Sequence, residues 1–512
     1  MPNVTPQTQP PLASSEPRPA FAPARRMLRP GPLAGRYPAV AAMVVLFLVP
    51  YLALSAALQP ITPLISGTLH ISPQATSLAT GMANAAYAAG TVLAVQFAQR
   101  LPQRRMMLLY AVLLVIGSVL AAAATDAPMF VVGHILQGLC TSLLLIAAAP
   151  PLFLGYPAAK LRWTTMIMNM CIFGAVAAGP LIGGVMASFH AWRPLFWIAA
   201  GVALLALILA LLTFEDAPPA DRSAPKDSRA IALAAGGSVA AFWGASELTT
   251  HAFLDPVAIV PLLGGLALII VLWVYQYRGK RVLLTLRPLA STFPVAGIVV
   301  AVCAAAASVS AIALTSASLS TRYAPLHLGL LYLPELGGAL LASIAFGVVF
   351  SSKYIHYFAL FGMLCLAAGI LVIQGVVPPT AGLTLAGSAL IGVGVGASVV
   401  PALFLAGFSL RSASIQRVFA ILELMRAYAA FMIVPLLLHF AVSLAGLPTE
   451  AMRTTLWICF GLAVGGTVVG VLLYVLGGTA PPAPSLDKFL GGSEPGWESP
   501  ALLARVRRRT SH

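Results

Sequence analysis

The sequence predicts an all-α membrane protein of 14 transmembrane helices, arranged as two six-helix bundles with two inserted central helices between them. Three observations carry that prediction. Mean hydropathy is +0.94, and 60% of the 512 residues are hydrophobic while 8% are charged; soluble domains carry about 25% charged residues. Apolar stretches follow one another almost without pause, the pattern of helices that satisfy their own backbone hydrogen bonds in hydrocarbon. Lys and Arg sit in alternate connections between those stretches, as they do when one side of the membrane retains them.

The elements follow in order. Residues 1–36 are Pro- and Ala-rich with scattered Arg and read as a disordered cytoplasmic tail. The apolar run after Arg36 is long enough to remain as a first span, against a cleaved signal peptide. Spans are expected near 38–59, 76–98, 106–125, 128–150, 163–187 and 194–214, forming an N-terminal bundle over 37–214. The polar stretch EDAPPADRSAPKDSR at 215–229 reads as a cytoplasmic loop. Two inserted helices, near 230–247 and 257–277, and a basic loop make up 230–290. Six more spans, near 291–313, 326–350, 356–376, 381–408, 416–442 and 453–477, form a C-terminal bundle over 291–478. Residues 479–512 are polar, end in ARVRRRTSH and read as a second disordered cytoplasmic tail.

The stretch 230–247 is short and Gly-rich, and charge decides in its favour. With both termini cytoplasmic, 25 of the 29 Lys and Arg residues lie on the inner side, while the outer connections hold Arg193, Arg322 and Arg453. Were 230–247 not to span, everything after it would invert and 12 of those charges would face outward, against the positive-inside rule.

Composition also excludes function classes. The net charge of +15 is topological, since no basic patch is interleaved with aromatics as a nucleic-acid surface would be. Cys140, Cys171, Cys303, Cys365 and Cys459 lie singly in apolar stretches, as small buried hydrophobes rather than a disulfide framework or metal site. No phosphate-binding GxxxxGK[ST] is present, so ATP is not the driver, and no cofactor or metal is expected. Gly392, Gly394 and Gly396 in IGVGVGASVVP lie inside an apolar span with no strand before them and read as helix packing. His251 and Asp255 read as solvated loop residues, with a partner contact as the alternative.

The most informative local pattern is GAVAAGPLIGG at 174–184. Gly174, Gly179, Gly183 and Gly184 leave a helix nearly bare for another to press against, and Pro180 removes a backbone donor and kinks the helix. A plain small-residue packing face is the competing reading. This segment resembles the antiporter motif of the major facilitator superfamily, and AWRPLFWI after it (Trp192, Arg193, Phe196) resembles the fourteen-span drug:proton antiporters of EmrB/QacA type. HILQGLCTS at 134–142, with Gln137 and Gly138, resembles the fourth-span motif of that subfamily, and RYAPLHLGLLYLP at 322–334 its entry into the tenth span. The resemblance covers about residues 40–477 and implies the major facilitator fold.

This sequence also departs from the family pattern. His134 stands where the family carries an arginine linked to proton coupling; it is either an altered coupling group, since imidazole titrates near working pH, or a satisfied structural histidine. The loop QFAQRLPQRR keeps Arg100, Arg104 and Arg105 of the cytoplasmic latch, but Gln99 stands near the expected acid, which weakens the latch and leaves basic residues to anchor helix ends at the inner leaflet. The acid often found in the first span is absent, with Tyr51 near its place.

Ionisable groups inside a membrane are costly and usually functional. Glu335, in YLPELGG, lies near the midplane directly after Pro334, where the helix is disturbed. Glu423 and Arg426 are three apart on one helix face and able to pair. By resemblance the tenth and thirteenth spans line the central cavity. Glu335 is expected to bind and release the coupled proton, with His134 and Glu423 as further coupling candidates, while Arg426, Gln137 and Tyr51 shape or gate the cavity. Acids satisfied by neighbouring helices are the bland alternative.

Together these point to a proton-coupled secondary active exporter, an antiporter of multidrug efflux type acting by alternating access. Its expected substrates are amphipathic or weakly acidic organic compounds. The alternatives are a dedicated exporter of a self-made metabolite such as a siderophore or antibiotic and, remotely, a polytopic membrane enzyme, for which no catalytic cluster is visible. High Ala, Arg and Pro suit a GC-rich bacterial genome, and so a multi-pass protein of the bacterial cytoplasmic (inner) membrane. The resemblance admits a periplasmic adaptor protein and outer-membrane channel as partners, beside substrate, protons and the lipid bilayer.

Overall fold

A computed structural model describes residues 31–213, 226–279, 282–443 and 448–505. The expected tail over 1–30, most of the loop 215–229 and the basic end at 506–512 lie outside the described residues. What is described is helical: α1 (Tyr37–Leu69), α2 (Pro73–Arg100), α3 (Gln103–Ala123), α4 (Ala127–Leu154), α5 (Ala158–Asn169), α6 (Ala175–Ser188), α7 (Arg193–Thr213), α8 (Ser228–Glu247), α9 (Pro256–Arg278), α10 (Thr292–Leu319), α11 (Pro325–Leu331), α12 (Leu333–Val349), α13 (Ile355–Gln374), α14 (Ala381–Phe408), α15 (Ile415–Ala427), α16 (Ile433–Ser443), α17 (Pro448–Gly477) and α18 (Leu486–Leu490). Helices α1–α7 pack on one another as one bundle and α10–α17 as a second. Lys and Arg cluster where α2, α4, α7, α9, α12, α14 and α17 end, called here the basic end.

Three spans are broken, each for a local reason. A π-helical turn over Met170–Gly174 joins α5 to α6, and a second over Tyr428–Met432 joins α15 to α16; such turns occur where packing forces one extra residue into a helix, often at functional sites. Tyr332 interrupts α11 and α12 just ahead of Pro334, whose ring disfavours helix before it. The kink expected at Pro180 is not where the fifth span departs from regular helix: α6 runs through Pro180, and the irregular turn lies before it.

Thirteen spans among the described residues, broken pairs counted as one, are long and apolar enough to cross a membrane. The expected stretch 230–247 is present as α8 but, rich in Gly and Ser, is not among them. Its path is nonetheless defined at both ends. Gln74 Nε2, near the start of α2, donates to Glu247 Oε2 at 2.9 Å, and Gln96 Oε1, near the end of α2, accepts from the Asp227 backbone N–H at 2.8 Å. Helix α8 therefore runs antiparallel along almost the whole of α2. Its small residues let α9 come close: a Cβ on Gly237 would meet Ile269 and Gly265 of α9.

Two tail expectations are corrected. Residues 31–36 form a turn tied to α7, with Leu33 N–H donating to Leu212 O at 3.1 Å. Residues 479–505 are not a disordered tail. Gly478, with φ +78°, turns the chain back after α17, and the segment docks on the basic end with Phe489 and Trp497 fully buried. Burying those two aromatic side chains supplies the driving force that the Pro-, Gly- and Ser-rich composition conceals.

Candidate functional site

A line of buried polar side chains crosses the first bundle and reaches into the second. It begins at His134 on α4, which is completely buried and whose Nδ1 lies 3.0 Å from Gln137 Oε1 one turn on. Gln137 Nε2 donates in turn to Ser118 Oγ on α3 at 3.1 Å. His134 Nε2 has no partner among the described residues, and its ring is enclosed by Phe130, Tyr51 and Phe196. Tyr51 on α1 donates its hydroxyl to Asn84 Oδ1 on α2 at 3.0 Å and stacks on Tyr87, one turn further along α2, with ring centroids 5.9 Å apart.

Tyr87 makes the crossing between bundles. Its hydroxyl donates to Glu423 Oε2 at 3.3 Å and accepts from Arg426 Nη2 at 3.0 Å, both on α15. Glu423 and Arg426 are joined by an ion pair of 2.7 Å with the Arg426 Nε donating at 2.8 Å, and the guanidinium also lies against the rings of Tyr87 and Phe431. The pairing expected from their i,i+3 spacing is therefore present, and it is buried. A buried ion pair of this kind needs its remaining hydrogen-bond capacity filled, which is what the Tyr87 hydroxyl does.

Glu335 stands apart from this line. It opens α12 after the break at Tyr332, is 6% exposed, and its Oε2 has no partner among the described residues. Its backbone is pressed directly against Gly392 of α14, where any Cβ would collide with the Glu335 carbonyl. The glycines of IGVGVGASVVP thus serve close packing, Gly394 against Leu366 and Gly396 against Ala339 and Ala342.

The Gly-Pro segment has two faces. Gly179 and Gly183 fit against Ala56 and Ala57 of α1 within the first bundle, whereas Gly184 meets Pro325 and Leu326 of α11 in the second, and Gly329 of α11 meets Pro180. This brings the bundles together at the end opposite the basic one. At the basic end they meet again through Phe153 of α4, whose ring packs on Phe404 of α14 and Phe419 of α15 at 5.2 and 5.6 Å, and through Gln416 Nε2 donating to Ile146 O at 3.1 Å. The bundles are in contact at both ends, with the buried polar line between.

The latch region differs from its sequence reading. Gln99 makes no hydrogen bond to a described residue, Arg104 reaches Leu211 O at 3.5 Å, and Arg100 Nη1 has no described partner. The acid at this place is Asp227 from α8, which accepts from Gln276 Nε2 at 2.8 Å, Tyr275 Oη at 3.2 Å and the Ala230 N–H at 3.0 Å while Gln96 binds its backbone N–H. Gln96, Asn84, Tyr87 and Asn169, whose Nδ2 donates across the bundles to Gly396 O at 2.7 Å, were not picked out from sequence. Each is a lone polar side chain in an apolar run, and that was the available signal. His251 pairs with Glu247 at 3.3 Å and Asp255 caps α9, so both are local loop contacts.

Two packed helical bundles with a buried polar line between them is the architecture of a membrane carrier, and the model of the Major Facilitator Superfamily matches residues 40–361, more than half the chain. The chain belongs to the Major Facilitator Superfamily. Within the superfamily it is similar to an uncharacterized MFS-type transporter, YubD, of Bacillus subtilis (24% identity over 194 residues, 36% of this chain and 37% of the relative). It is also similar to the tetracenomycin C resistance and export protein of Streptomyces glaucescens (29% over 184 residues, 36% and 34%) and to the lincomycin resistance protein LmrB of Listeria monocytogenes (28% over 161 residues, 31% and 33%). The chain spans about a third of the length of the curated relatives it matches. Superfamily membership accounts for the apolar helices and the paired bundles, while the Tyr87–Glu423–Arg426 crossing is this chain's own observed geometry.

Proposed function

We propose that this protein is a proton-coupled exporter of amphipathic or weakly acidic organic compounds, working by alternating access between the two bundles. The observation that carries the reading is Glu335: a buried carboxyl with one oxygen that has no partner among the described residues, set at a helix break inside an apolar span. Intramembrane acids of this kind mark proton relays. The Glu423–Arg426 pair, held by Tyr87 across the bundles, shapes and gates the path, and His134, whose Nε2 has no partner among the described residues, is a second coupling candidate.

Export rather than uptake is supported by relatives whose names include export and resistance. The substrate class is supported by the aromatic rings of Tyr51, Tyr87 and Phe431 between the bundles, which would favour apolar bodies once the bundles part, while the Arg426 charge is held by Glu423. That α8 follows almost the whole of α2 supports counting it as a fourteenth span, and with it the EmrB/QacA-like reading in which both termini are cytoplasmic. A dedicated exporter of one self-made metabolite is the second reading, favoured by similarity to a protein named for export of a single compound, tetracenomycin C.

The test is transport by the purified chain in proteoliposomes with an imposed pH gradient, against a panel of amphipathic dyes and organic weak acids. Substrate-dependent collapse of the gradient supports the reading. Equal substrate movement with and without the gradient contradicts it.

A further inference from the structure

The segment after α17 bridges the two bundles. Its backbone loop closes on itself through Ser485 N–H to Gly496 O at 2.9 Å and Trp497 Nε1 to Pro482 O at 2.9 Å. It then ties to the second bundle at two places. Gly496 N–H donates to Phe408 O, the last residue of α14, at 2.8 Å; and the N-terminus of α10, which lacks a side-chain cap of its own, has its free donors satisfied by Pro500 O at 3.0 Å and Ser499 Oγ at 2.9 Å. Trp497 lies 6.0 Å from the ring of Phe350, and Phe489 stacks on Phe408 at 4.4 Å. Phe408 in turn packs on Phe153 of the first bundle at 6.1 Å, and α18 itself rests against α5 of the first bundle.

We propose that residues 482–501 are a gate strap that holds the basic end of the transporter closed, with Trp497 and Phe489 as the residues that set its grip. Among the contacts between the two bundles at that end is an aromatic cluster, Phe153 with Phe404, Phe408 and Phe419, beside Gln416 on Ile146 O and Gly347 of α12 against Arg162 of α5. The strap covers the outer side of that cluster and adds a contact of its own to α5. Opening the basic end separates α4 and α5 from α14 and α15, so it strips the strap from α5 and uncovers Phe408. The strap thus takes the place of the electrostatic latch that Gln99 leaves incomplete. The ion pair within it, Lys488–Glu494, is solvent-exposed and contributes little to the grip.

The inference rests on the alternating-access reading and is independent of proton coupling. Its test is a pair of distance measurements by spin labelling in liposomes, on full-length protein with its five native cysteines replaced. Labels at Ala159→Cys and Arg411→Cys span the basic end; labels at Ser188→Cys and Thr321→Cys span the opposite end. Ending the chain after Gly478, or Trp497→Ala, is expected to raise the basic-end-open population by about tenfold, within what release of one buried aromatic side chain can supply. Trp497→Phe, which keeps a ring against Phe350 and Phe408, should lie between. Unchanged basic-end distances in both strap variants, with opposite-end distances as in the intact protein, overturn the proposal. Loss of the folded protein on truncation also overturns it, because it makes the segment a folding element rather than a gate. If pH or substrate interconverts the two ends of the intact protein while the strap variants match it, the strap alone fails; if no condition moves either end, alternating access fails with it.

Discussion

The hydroxyl of Tyr87 on α2 lies 3.0 Å from the guanidinium of Arg426 on α15, and this contact ties one bundle to the other at a position sealed from solvent. The same hydroxyl reaches Glu423 at 3.3 Å. Any motion that separates α2 from α15 must break both contacts and leave a buried ion pair short of a hydrogen-bond partner.

Tyr87→Phe keeps the stacked ring on Tyr51 and removes only those two bonds. Hydrogen bonds to charged groups contribute about 1.5–3 kcal/mol. The variant should fold, with the closed arrangement weakened by roughly that amount, seen as a shift in inter-bundle distances by spin labelling. An unchanged distribution would show that the contact does not bear on the equilibrium between states.

Arg426→Met strands the Glu423 carboxyl without its cation, whereas Glu423→Gln combined with Arg426→Met removes the pair as a unit. Breaking a buried pair from one side costs about 3–5 kcal/mol, and replacing both partners is often close to neutral. Thermal unfolding in detergent should therefore show the single variant less stable than the double. The reverse order would mean that the pair is not mutually compensated as the geometry indicates.

Gly392→Ala places a methyl against the Glu335 backbone, and backbone cannot rotate away. Helices α12 and α14 must separate, at about 1–3 kcal/mol for overpacking. Gly264→Ala, where a Cβ meets nothing within 4 Å, is the control and should be neutral or stabilising, since Ala is the better helix former. Equal melting temperatures for the two variants would argue against the tight α12–α14 crossing.

Asp227→Ala removes the cap of α8 and the bonds from Tyr275 and Gln276. Loss of a cap alone costs about 1 kcal/mol; here the start of α8 should also loosen from the end of α9. Hydrogen exchange at the first turn of α8 should speed up while that of α4 stays constant. Faster exchange throughout the first bundle would instead make Asp227 part of its core.

Much of the architecture was legible because hydrocarbon imposes one rule, continuous apolar helix, and the chain obeys it nearly everywhere. The Glu423–Arg426 pair could be read from spacing, since i and i+3 share a helix face. What could not be read was contact between distant segments. Gln99 sits in the expected latch position, yet Gln96 one turn earlier makes the bond, accepting from the backbone N–H of Asp227, 131 residues away at the cap of α8. Trp497 sits among Gly, Pro, Ser and Glu, a composition that signals disorder, and one buried aromatic with its docked backbone outweighs that signal. Tyr87 is one aromatic among many in the apolar spans, and its role depends on the packing of α15 beside it.

That Glu335 carries the coupled proton is a proposal that Glu335→Gln in proteoliposomes decides, since it preserves shape and removes the exchangeable acid. Substrate-driven proton flux and substrate transport would be followed together beside the unmodified chain. Proton flux should fall to background and transport should no longer respond to an imposed pH gradient, while substrate binding persists. Proton-coupled transport at the unmodified rate would contradict it.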